Sequence, residues 1–322
     1  MIAEFYLKNI NTSLSHTFKF KNSEIQIVSN DNHIKQIDDF NSEGNPILET
    51  GILRINGLTN REENLKLAQT IRNLMSLALG RDIIFDRQKF TVDNEESQVF
   101  KKMSDPINEG IQIVPEFCLE EYLTKTIPKW QSQSKDEENA LFVAINYLNQ
   151  TKNSFIEDRI LKVTQAWESL AEFWKIESEL DERLLKLKGQ LKDVYKKWRS
   201  ENDVSDIDVS GQIGSKISSS INQEKLLGKL EGLTTRFQLN KSKLNLELKE
   251  LKSLRDQVAH TGRINMSGKE ALPILKSAIK GLQIIILDHL GYDGLVIYHK
   301  DGWRTFEKLE EFKQSTTSAK NP

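Results

Sequence analysis

Between Ile156 and Val258, two stretches carry apolar side chains at helical spacing, which commits this half of the chain to helices with one buried face. Ile156, Ile160, Val163, Trp167, Leu170, Trp174, Leu184, Leu191, Val194 and Trp198 carry the pattern over about 45 residues. They predict one long helix over 154–199, opened by a Ser154–Glu157 capping box. The polar run 200–220 interrupts the spacing and reads as a loop. Leu226, Leu230, Leu233, Phe237, Leu244, Leu251, Leu254 and Val258 then predict a further helix. ENALFVAINYLN marks a helix upstream, and Ser267 with Glu270 caps a last one whose face is Leu272, Leu275, Ile279, Leu282 and Leu290. Four helices of this kind predict an antiparallel bundle over 135–292.

Residues 1–115 have another rhythm. AEFYLKNI, HTFKFK, EIQIVSN and GILRING show strand-like alternation or β-branched and aromatic enrichment, separated by connectors such as NSEGNP at 41–46. One helix is expected at 61–79, with a Thr59–Glu62 capping box, a face of Leu65, Ala68, Ile71, Met75 and Ala78, and Gly80 as its stop. RDIIFDRQKFTVD reads as a short hairpin. The expected class is therefore α+β: a mixed, β-rich domain at 1–115, a connector at 116–134 and the helical domain at 135–292. A hairpin follows at 293–312, turning at Lys300-Asp301-Gly302, and the tail 313–322 is expected to be disordered.

Composition narrows the function classes. The 45 basic and 47 acidic residues nearly cancel, so a nucleic-acid surface would have to be a local patch. A single cysteine, Cys118, excludes an internal disulfide and a cysteine metal cluster and points to a reducing compartment. The opening residues lack a basic and then apolar leader, and no apolar run approaches the roughly 20 residues that cross a bilayer. A cytoplasmic, soluble protein without membrane attachment is the expectation. No phosphate loop, dinucleotide turn or nucleophile elbow occurs, and no histidine pair has zinc-ligand spacing, so neither metal nor cofactor is expected.

One stretch concentrates chemistry. LRDQVAHTGR (254–263) ends the third predicted bundle helix with an arginine, an acid and one of five histidines. Cations suit a helix C-terminus, and Gly262 suits the stop. Arginine also offers a planar donor fork for phosphate, and histidine moves protons near neutral pH. Five positions on a helix separate Arg255 and His260 by about 140° and about 7.5 Å, too far to close on one atom within one copy. Two copies facing each other across a two-fold axis would bring such groups together.

Arg255-Asp-Gln-Val-Ala-His260 resembles the arginine, four residues, histidine signature of HEPN domains, with a polar residue after the arginine. EDRILKVTQAWESLAEFW (157–174) is similar to an upstream segment of defence-associated HEPN proteins, Glu168 matching its glutamate. The resemblance spans about residues 135–292. It implies a homodimer whose paired motifs form a metal-independent endoribonuclease site, deployed in antiviral abortive defence or as a toxin. In that reading His260 is the acid/base, Arg255 holds phosphate, Asp256 supports them and Glu168 stands behind. The triggering phage component or partner is not written in the chain. Thr261 departs from the family pattern, which often runs directly to glycine after the histidine.

Two basic runs fit an RNA partner. Residues 236–255 hold six basic residues against two acids, including Lys241, Lys243, Lys249 and Lys252. Residues 186–199 hold six against one, with Tyr195 and Trp198 interleaved. Either run also suits a solvated helix face. A catalytically silent HEPN module that binds RNA or a partner is the second expectation. His289, beside Asp288 near a helix end, reads as structural.

Overall fold

Alternation decides the first half. In β1 (Ile2–Lys8) Ala3, Phe5 and Leu7 are buried while their neighbours turn outward, as the two-residue repeat of a strand requires. The computed structural model describes residues 1–8, 10, 14–29, 50–92, 95–100, 111–150, 154–176, 182–201, 224–300 and 303–314. Strands β2 (His16–Phe20), β3 (Ser23–Ser29), β4 (Gly51–Asn56), β5 (Ile84–Val92) and β6 (Glu95–Phe100) join β1 in a six-stranded antiparallel sheet ordered β2-β3-β4-β1-β5-β6. RDIIFDRQKFTVD is no hairpin: most of it is β5, which pairs with β1 on one edge and β6 on the other. With partners on both edges an extended strand satisfies its backbone, which a turn inside it would forfeit. The connector 41–46 lies outside the described residues.

Helix α1 (Arg61–Leu79) covers β1 and β4. Its cap is Asn60, one residue later than the expected Thr59; the Asn60 side-chain Oδ1 accepts from Glu62 N at 2.8 Å. Gly80 stops the helix at φ 62, and residues 113 and 114 donate to Ala78 O over that end. A Cβ at Gly80 would sit 2.2 Å from Ile111 O. Gly80→Ala combines that backbone clash with a left-handed φ and is expected to cost about 1–3 kcal/mol, read as a lower urea midpoint at unchanged slope.

Residues 116–134, expected as a connector, hold helix α2 (Leu119–Gln131), whose Leu119, Tyr122, Leu123, Ile127 and Trp130 are buried. It packs on α1 and β2, and Tyr122 Oη donates to Leu74 O at 3.0 Å. Helix α3 (Lys135–Asn149) is capped by Ser134. Helix α4 (Ile156–Phe173) starts without a side-chain cap, because Ser154 Oγ lies instead against Gln150 O and Lys162 Nζ. The expected Ser154–Glu157 box is absent.

The single long helix over 154–199 does not form either. Trp174 ends α4, Lys175 turns at φ 51, and Ile176 sits where a Cβ on Gly232 would lie 2.4 Å from its Cγ2. Burying Trp174 against Phe237 and His289 offsets the backbone bonds lost there. A separate helix, α5 (Glu182–Glu201), follows. The loop expected over 200–220 lies outside the described residues from 202 onward.

The next expected helix is likewise in pieces: α6 (Glu224–Arg236), the short α7 (Lys241–Leu244) and α8 (Leu248–Thr261). Gln238 and Asn245 turn at φ 51 and 50. The break lets residues 238–240 pair with the C-terminal segment: Asn240 N donates to Phe312 O at 2.7 Å and Gln314 N to Gln238 O at 2.6 Å. Lys313 and Gln314, placed by sequence in the tail, are thus tied to the fold; 315–322 lie outside the described residues. Helix α9 (Gly268–His289) opens with the predicted Ser267–Glu270 capping box. Strands β7 (Leu295–Lys300) and β8 (Trp303–Lys308) form the predicted hairpin, whose turn residues 301–302 are not described.

The fold is mixed α+β, an N-terminal antiparallel sheet followed by a largely helical region. One continuous buried cluster runs from Ala3 and Phe5 through Trp130 and Trp167 to Leu309 and Phe312. No helix among the described residues is long and apolar enough to cross a membrane.

Candidate functional site

Helix α8 buries Leu248, Leu251, Leu254 and Val258 against α4, α6 and α9, which leaves the intervening positions at the surface. Arg255 and Asp256 are half-buried there, and His260 is exposed. Asp256 Oδ2 accepts from Lys252 Nζ at 2.6 Å, and Asp256 Oδ1 accepts from Arg255 Nη1 at 3.2 Å. Asp256 is the only hydrogen-bond partner of the Arg255 side chain among the described residues, so most of the guanidinium's donors stay available.

Glu168 reaches the same cluster from α4. Burial pushes its carboxyl above the usual range, while Arg255 and then Lys229 pull it down. Lys229 is itself ion-paired to Glu172 at 2.9 Å. The structure therefore brings Glu168, Lys252, Arg255 and Asp256 together. His260 stands one turn beyond Asp256, offset by about 40°, and makes no hydrogen bond among the described residues.

Thr261 caps the motif. Its Oγ1 lies 2.8 Å from Gln257 O and 2.9 Å from Arg263 O, Gly262 N donates to Val258 O at φ 72, and Asn265 N donates to the Gln257 side chain. Thr261 thus fixes the helix end beside His260.

The predicted RNA-binding lysines divide. Lys241 and Lys249 are exposed. Lys243 is tied to the hairpin region by Glu307 at 2.5 Å and Glu311 at 3.5 Å, over the Phe312 ring. Lys252 serves Asp256. On α5, Tyr195 and Trp198 stack with ring centroids 6.3 Å apart, and Lys186, Lys192, Lys196 and Lys197 are exposed.

His289 is structural, through Glu137 rather than the neighbouring Asp288. Its Nε2 lies 2.8 Å from Glu137 Oε1, and Trp174 and Phe237 flank the ring. Burial holds its pKa below the usual histidine value, against the opposing pull of Glu137. A folded-state pKa below the unfolded one gives stability that is complete above the ordinary histidine range and lost as pH falls. The unfolding midpoint is expected to drop between pH 7 and pH 5, and His289→Gln should flatten part of that slope; an unchanged slope would remove the assignment.

Sequence reasoning missed Lys280, a nine-tenths-buried lysine on α9 whose ammonium donates to Ile297 O. Its signal was there to read: one lysine among the otherwise apolar or amide-bearing residues 278–287. His33 lies outside the described residues. A cleft of about 750 Å³, bordered by Phe20, Lys21, Glu63, Lys66 and Gln131, draws none of its lining from α4 or α8. Comparison of the chain with family models, with curated proteins and with solved structures finds no match.

Proposed function

We propose that this chain is a metal-independent endoribonuclease of HEPN type, acting as a homodimer in the cytoplasm in abortive antiviral defence. The observation that carries the reading is Arg255, steadied by Asp256 near Glu168 at an open surface, with an exposed His260 one turn on. In this reading a histidine from one copy takes the proton of an RNA 2′-hydroxyl as that oxygen attacks the adjacent phosphorus. Its counterpart in the second copy protonates the 5′-oxygen as the P–O5′ bond breaks. Arg255 neutralises the phosphorane oxygens, and Asp256 orients the guanidinium. Glu168 positions Arg255 across the α4–α8 contact. The products are a 2′,3′-cyclic phosphate and a 5′-hydroxyl.

The test is incubation of purified wild type and His260→Ala with cellular RNA in EDTA, followed by mapping of new ends. Cyclic-phosphate ends from wild type alone support the reading, and cleavage that vanishes with EDTA sinks it. One observation favours a second reading, a silent module that only binds RNA or a partner: no hydrogen bond among the described residues orients His260. Retention of RNA without new ends would select it.

A further inference from the structure

A second group of cations gathers at the C-terminal hairpin, separate from the α8 motif. Lys280 lies on α9 one turn after Lys276, and its ammonium donates to Ile297 O at the edge of β7, while Ile297 N donates to Ile113 O. Two residues on, His299 stands directly across the hairpin from Arg304. Arg304 Nη2 donates to Gln112 Oε1 at 3.2 Å. Lys276, Lys280, His299 and Arg304 thus converge, and none of the four has an ion pair with a carboxylate among the described residues.

Burial pushes Lys280 down to about 7, and Arg304 adds to the shift. His299 is lowered by burial and then by Lys280, Arg304 and Lys276. Burial and mutual repulsion disfavour the protonated forms of these groups, and an anion placed among them favours those forms.

Aromatic surface adjoins the cluster. Phe306 follows Arg304 by two residues and therefore shares its face of β8, with the Arg304 guanidinium 5.6 Å from the ring centre. Phe117 meets Phe306 edge-on at 5.3 Å, and the two rings remain 58% and 45% exposed. Exposed aromatic faces beside phosphate-binding cations are what a nucleobase with an attached phosphate would use.

We propose that α9 and the C-terminal hairpin form a binding site for a nucleoside phosphate, with Lys280 as floor, Lys276, His299 and Arg304 as rim, and Phe306 and Phe117 as the base platform. The site is independent of the ribonuclease reading and shares no residue with it.

The full chain is titrated calorimetrically, in EDTA, with ATP, inorganic phosphate and adenosine. ATP should bind at submillimolar concentration and more tightly than either fragment. Arg304→Gln and His299→Asn should each weaken it by about tenfold, and Phe306→Ala should erase its advantage over inorganic phosphate. Lys19→Gln, an exposed charge removed elsewhere, should change nothing. Because the rim residues and Phe306 are exposed, unaltered unfolding midpoints are expected for their variants. No ATP binding at millimolar concentration overturns the proposal, as does binding indifferent to Arg304→Gln and His299→Asn. Inorganic phosphate binding as tightly as ATP removes the base platform. A short single-stranded RNA that binds through these residues where ATP does not replaces the nucleotide with a polynucleotide and also overturns it.

Discussion

Trp167→Ala should cost about 3–5 kcal/mol, the range for emptying a well-packed aromatic site, and lower the urea midpoint accordingly. Trp167 is wholly buried, its indole N–H donates to Ala278 O at 3.1 Å, and a Cβ on Gly281 would lie 3.3 Å from Trp167 Cζ2. The side chain fills the α4–α9 contact, and α9 comes close at Gly281, where an added Cβ would press on the ring. Trp167→Phe separates the two contributions: it keeps much of the volume and loses the hydrogen bond, so a smaller loss of about 1–3 kcal/mol is expected. A loss below about 1 kcal/mol for the alanine variant would mean that the contact is not packed as described. The consequence extends to the candidate site, since Glu168 is the next residue and its place beside Arg255 depends on how α4 is seated.

The sequence is legible where a residue's role is decided by its near neighbours. The strand alternation of β1, the Ser267–Glu270 box and the glycine stops at 80 and 262 all depend on contacts within a few positions. The errors fall where distant segments decide. Trp174 continues a helical spacing perfectly well, yet the chain turns there because an aromatic partner and His289 wait across the fold. Gln238 turns left-handed because the residues around 312–314 offer backbone partners, which no window around residue 238 could reveal. Helix α2 has its own apolar spacing at 119, 122, 123, 127 and 130, but Pro128 in its last turn obscures it. The same division holds at the site. Arg255, Asp256 and His260 were legible as a local motif, and Glu168 only through a resemblance. The capture of Lys252 by Asp256 and of Lys243 by Glu307 required the fold.

On the proposed ribonuclease reading, His260→Ala should lower RNA cleavage by about 10²–10⁴-fold, the range for removing a proton-transfer group. Arg255→Ala should cost about 10²–10³-fold, and Arg255→Lys should recover little, because a point charge does not reproduce the planar donor fork. His260→Ala should change the unfolding free energy by no more than about 0.5 kcal/mol, since His260 is exposed on α8 outside its buried stripe. The motif then makes a sharper demand. Each copy carries a single histidine in this motif, so a site needing both a base and an acid histidine must take one from each copy. When wild type is mixed and re-equilibrated with His260→Ala at fixed total protein, activity should fall as the square of the wild-type fraction. A linear fall would mean that each copy cuts alone; the composite site would then be wrong even if His260 proved essential.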